Sequence, residues 1–92
     1  MKDEAAPSRS QKKRDSTALQ QRGADIAALA PARRRRLPLP EELDEALRHY
    51  DGITNREGRR RQMQFIGRIM REMDEDVRTA LLEALDSLQE GR

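Results

Sequence analysis

Six arginines crowd the eighteen residues from Arg56 to Met73, "REGRRRQMQFIGRIMREM". Arginine carries a planar fork of donors that grips phosphate oxygens two at a time and stacks on bases. Such a concentration is therefore chemistry for a phosphate-rich partner. At 100° per residue, with Met63 at zero, Arg60, Arg71, Gln64, Arg68 and Arg61 fall between about 60° and 160°. Met73, Ile66, Met70 and Met63 fall between about 280° and 360°, with Ile69 and Phe65 at about 240° and 200°. The spacing predicts a helix with one packing side and, opposite it, a stripe of four arginines and a glutamine. Gly67 lies on the border, where a neighbouring segment can come close. Arg59 projects at the N-terminal end of the apolar seam, where it could pair with an acid of the second or fourth helix. A solvated face laced with i, i+4 ion pairs explains most charged helices. Here no acid lies between Glu57 and Glu72 to neutralise the stripe from within, which favours a phosphate-bearing partner.

Two further basic runs are less specific. Arg33, Arg34, Arg35 and Arg36 sit among prolines in "PARRRRLPLP". They read equally as an electrostatic arm on backbone phosphates or as a solubilising linker. Lys12, Lys13 and Arg14 form a second basic face, open to the same two readings. One Phe and one Tyr, with no Trp, cannot build a stacking platform for single strands, so the expected nucleic acid is structured and read by shape and phosphate. His49 beside Tyr50 reads as a surface or capping residue, and no nucleophile stands beside a base, so no catalytic residue and no enzymatic activity are assigned. The carboxylates of "MDEDV" are explained by their place at a helix start, and Met63, Met70 and Met73 read as core filler. Neither metal nor cofactor is expected.

The elements that must position these side chains are helical. Residues 1–9 are polar and read as a disordered lead-in, before a single helical domain over residues 10–90. A first helix over about 10–29 opens with Ser10 as a cap, buries Leu19, Ile26 and Leu29, and is weakened at Gly23 by about 1 kcal/mol relative to alanine. Pro31 stops it. Pro38 and Pro40 force Leu37 and Leu39 into extended backbone. A second helix over about 41–51 follows, with Glu41, Glu42 and Asp44 near its positive end and Leu43, Ala46, Leu47 and Tyr50 inward. Thr54 and Glu57 have the spacing of a capping box for a third helix over about 55–73. Asp74 caps a fourth over about 75–89, with Val77, Leu81, Leu85 and Leu88 on one face. The expectation is an all-α bundle of three or four helices with a Pro/Arg linker.

Composition bounds what such a bundle can be. In 92 residues, 39% are charged and 35% hydrophobic, with no cysteine, which excludes a disulfide framework and thiolate metal sites. No apolar run approaches a membrane span, and "MKDEAAPSRS" has no apolar core for a signal peptide. A cytoplasmic protein with no membrane contact is expected. The net charge of +2 conceals segregation. Residues 59–71 hold five arginines and no acid, whereas residues 72–92 hold seven acids against two arginines. A chain so divided meets a polyanion on selected faces only.

The blocks "LPLPEELDEAL", "GRRRQMQFIGRIMRE" and "VRTALLEALDSL", in that order, are similar to the YjgA/DarP family of ribosome-associated proteins, as is the upstream "SQKKRDSTALQQRGADIAAL". The resemblance covers residues 10–88. It implies a non-enzymatic bacterial assembly factor that joins late precursors of the large (50S) ribosomal subunit and helps 23S rRNA mature around the peptidyl transferase region. Gly58, Arg59, Arg60, Arg61, Gln62, Gln64, Gly67, Arg68 and Arg71 match the family's conspicuous block, and its arginines are the implied rRNA contacts. Family members are usually longer, with a second helical lobe, and their linker is less basic than Arg33–Arg36. The alternative is a helical adaptor, or a homodimer, whose Met-rich seam takes up a partner helix. No small-molecule substrate is implied by either.

Overall fold

A computed structural model describes residues 9–91, with side chains from Ser16 onward. The chain forms α1 (Arg9–Ala28), α2 (Pro31–Arg34), α3 (Glu41–Gly52), α4 (Arg56–Glu72) and α5 (Glu75–Gly91). No strand occurs among the described residues, and the fold is all-α as its composition requires. The lead-in of residues 1–9, apart from Arg9, lies outside the described residues. So do the side chains of Ser10, Lys12, Lys13 and Arg14.

The linker holds a helical turn that its prolines did not announce. Pro31 ends no helix; α1 has already stopped at Ala28, and Pro31 opens α2. Its fixed φ suits a first helical position, where its missing N–H has no partner to lose. The N–H groups of Arg34 and Arg35 donate to the carbonyls of Ala30 and Pro31 at 2.9 and 3.1 Å. Beyond Leu37 the chain runs without helix through Pro38, Leu39 and Pro40. Pro40, with ψ 152°, stands just before α3, and its carbonyl accepts from the Asp44 N–H at 2.9 Å.

α4 is the element on which the others converge. It packs against α1 on one flank and α3 on another. Ile66, Ile69 and Met70 of α4 meet Ile26 of α1, Leu43, Ala46 and Leu47 of α3, Leu37 of the linker, and Leu81 and Leu85 of α5 in one core. Gly23 shows why α1 accepts a helix-weakening residue: a Cβ there would stand 3.1 Å from Ile66 Cγ2, so the glycine admits α4. Two glutamines tie α4 to its neighbours, Gln20 from α1 and Gln62 from α4 itself to α3. Gln20 Nε2 donates to Met63 O at 3.2 Å, and Gln62 Nε2 donates to Ala46 O at 2.9 Å.

Three further expectations are corrected. The side-chain cap of α4 is Asn55, whose Oδ1 accepts from Gly58 N–H at 2.6 Å, rather than Thr54. Asparagine ranks among the best caps, and Glu57, the other half of the expected box, is turned to Arg60 instead. Val77 lies exposed in the first turn of α5, before the helix reaches the core at Leu81. Phe65, placed by periodicity at the edge of the packing side, is 42% exposed.

Candidate nucleic-acid interface

The two sides of α4 have separate fates. Ile66 and Met70 are fully buried, while Arg60, Arg61, Gln64, Arg68 and Arg71 are exposed. Because the buried side is clamped between α1 and α3, the exposed side is a fixed row rather than a flexible tail.

The row is less free of carboxylates than the sequence suggested. Arg60 Nη2 donates to Glu57 Oε2 at 2.8 Å, and Arg61 Nε lies 3.6 Å from the same oxygen. Arg68 Nε donates to Glu72 Oε2 at 3.3 Å. The hydrogen bond from Arg60, and then its charge, hold the Glu57 carboxyl below its ordinary range; the same pairing raises Arg60. All of these groups are open to water, where such pairs contribute little and exchange readily. Arg71 has no carboxylate partner among the described residues. Its backbone is held: Arg78 Nη1 donates to the carbonyls of Met70, Arg71 and Met73 at 3.2, 3.4 and 2.9 Å. A guanidinium thus closes the negative end of α4.

The structure draws two expected arginines out of the surface set. Arg34 is 3% exposed. Its guanidinium forks onto both carboxylate oxygens of Asp51 and also donates to Ala27 O at 3.4 Å, tying α2 to the ends of α1 and α3. Arg59 meets no acid among the described residues. It donates to Ile53 O at 3.0 Å and lies over the Tyr50 ring, 4.1 Å from its centroid. Arginine's flat, weakly hydrated head makes that stack favourable.

The remaining linker arginines face other elements. Arg33 donates to Leu88 O at 3.1 Å, and it shares with Arg36 a recess of about 390 Å³ at the end of α5. Arg35 lines a second recess, about 350 Å³, with Asp44 and Arg48 of α3. Sequence reasoning passed over Arg48, Arg78 and Arg22. Arg22 reaches from α1 to the Asp86 carboxylate of α5. The Asp44–Arg48 spacing was a visible signal for one of them; the ties made by Arg22 and Arg78 appear only once the helices are docked.

No group of three or more metal-ligating side chains gathers among the described residues, and no described helix is long and apolar enough to cross a membrane. The family model for dual-action ribosomal maturation protein DarP matches residues 5–92. The protein of that name from Cupriavidus pinatubonensis is 48% identical over 82 residues, covering 89% of this chain and 40% of the relative. Its counterpart from Cupriavidus metallidurans is 44% identical over 87 residues, covering 95% and 43%. That of Aromatoleum aromaticum is 40% identical over 85 residues, covering 92% and 45%. The chain thus spans about two fifths of the length of the curated relatives it matches. No solved structure matches it.

Proposed function

The chain belongs to the DarP family, and on that premise we propose that it is a ribosome-associated assembly factor that binds rRNA of a late 50S precursor and aids large-subunit maturation. The observation that carries this reading is the row Arg60, Arg61, Arg68 and Arg71, exposed on a helix whose opposite side is buried at Ile66 and Met70. Phosphates of folded rRNA displace the Glu57 and Glu72 carboxylates from their arginines. Those ion pairs are exposed to water and weakened by salt, so the exchange costs little. Gln64, within the row, adds a donor for sugar or phosphate. Arg33, Arg35 and Arg36, with Lys12, Lys13 and Arg14, supply secondary contacts, while Arg34 and Arg59 act through the fold. The exposed acids of α3 and α5 limit indiscriminate sticking or face basic ribosomal proteins. Residues 10–90 serve as one helical domain that presents the row in the cytoplasm, with no catalytic step, metal or cofactor.

Sucrose-gradient fractionation of cell extract at low and high salt tests the proposal. The protein is expected with large-subunit material at low salt and at the top of the gradient at high salt. Replacing the four row arginines by glutamine releases it at low salt and flattens the salt dependence of binding by about three in log–log slope, from roughly 0.7–0.9 per phosphate contact. Glu57→Gln, which frees Arg60 and Arg61, strengthens binding. A wild-type protein that stays at the top under both conditions overturns the reading.

A further inference from the structure

The chain has two aromatic side chains, and the fold treats them differently. Tyr50 is half-buried and covered by the Arg59 guanidinium. Phe65 is left 42% exposed, although its neighbours Ile66 and Ile69 are buried. Arg61 stands four residues before it and Arg68 three residues after, so both lie next to the ring on one surface of α4. Their side chains are 76% and 64% exposed. The other exposed large hydrophobic among the described residues, Val77, follows Glu75 and Asp76 in the first turn of α5, and the guanidinium of the adjacent Arg78 is turned back to the carbonyls of Met70, Arg71 and Met73.

We propose that Phe65 stacks on one unpaired base of the bound RNA while Arg61 and Arg68 hold the phosphates that flank it. The proposal rests on the phosphate-binding reading of α4 and adds what kind of RNA element the helix meets. A nucleotide brings both parts the surface asks for, a flat π-face for the ring and negative charge for its two neighbours. An apolar protein segment would meet the ring only by bringing hydrophobic surface against two charged guanidiniums and would leave their charge unanswered. A single open ring serves a single base. The fitting element is a bulged or loop nucleotide within folded RNA, because a perfect duplex keeps its bases stacked inside and a single-stranded run needs several rings.

The test uses the 92-residue chain and two RNA hairpins, one with a single bulged 2-aminopurine and one with the same base paired. Wild type is expected to bind the bulged hairpin more tightly and to change its fluorescence on binding. Phe65→Leu is expected to weaken binding to the bulged hairpin by about tenfold, in line with the loss of one stacked base, and to leave the paired hairpin unaffected. Phe65→Tyr keeps the preference. Circular dichroism confirms that the Leu variant folds, the ring being half exposed. If wild type binds both hairpins equally and Phe65→Leu changes neither, stacking is overturned and phosphate binding stands. If wild type binds neither hairpin, the phosphate reading itself falls, and stacking with it.

Discussion

The guanidinium of Arg34 shows how far one arginine can differ from the next in a run of four. Its fork onto Asp51 and its bond to Ala27 O join three chain segments, at 3% exposure. Breaking a buried pair by removing one partner costs several kcal/mol, because the other charge is stranded. Asp51 is partly open to water, which reduces that cost. Arg34→Ala is therefore expected to destabilise the fold by about 2 kcal/mol, which lowers the thermal midpoint of a domain this size by about 10 °C. Arg35→Ala, on the exposed side of the same turn, should stay within about 0.5 kcal/mol of wild type. Thermal denaturation of both variants checks the contrast, and equal costs would refute the structural role given to Arg34.

At the scale of the element, α4 separates stability from binding across its own axis. Ile66 is fully buried against α1, with Gly23 opposite. Ile66→Ala leaves a cavity and should cost about 3 kcal/mol in denaturant unfolding. At temperatures where that variant remains folded, its RNA affinity should match wild type, since the row is untouched. Arg68→Gln should do the reverse, leaving stability within about 0.5 kcal/mol while weakening binding and lowering its salt slope by about one. An Ile66→Ala protein that is folded yet fails to bind would show that the row depends on more than its backbone. The ends of the helix are secured from opposite sides, Asn55 at the start and Arg78 at the finish.

Across the whole molecule, stability should be uneven. α4 is enclosed by α1 and α3 and buries Ile66, Gly67, Ile69 and Met70, whereas α5 buries Leu81 and Leu85 and reaches α1 and α2 through Arg22–Asp86 and Arg33–Leu88 O. Segments with fewer buried apolar contacts open at lower free energy. Native-state hydrogen exchange should find amides in the second half of α5 exchanging on the order of tenfold faster than those around Ile66 and Met70. Equal protection of both helices would contradict this picture of a firm α4 platform. The arginine row lies exposed on α4, where its carboxylate partners are Glu57 and Glu72 of the same helix, and Glu75, Asp76, Glu83 and Glu90 are exposed on α5.

By itself the sequence determined which residues of α4 face in and which face out, because a 3.6-residue period leaves Met63, Ile66, Met70 and the arginines no shared side. It determined the all-α class through composition and breakers, and the family through its ordered blocks. Periodicity says nothing about how far a neighbouring helix extends. Phe65, on the boundary azimuth, could therefore be read inward until α1 and α3 were seen to leave it uncovered. Nor could four identical arginines be told apart in a linker. Only the docking of α2 against the ends of α1 and α3 places a carboxylate and a carbonyl beside Arg34 and leaves Arg35 and Arg36 in water. The tertiary structure decided those cases because burial and ion pairing depend on groups distant in the chain, which no local spacing encodes.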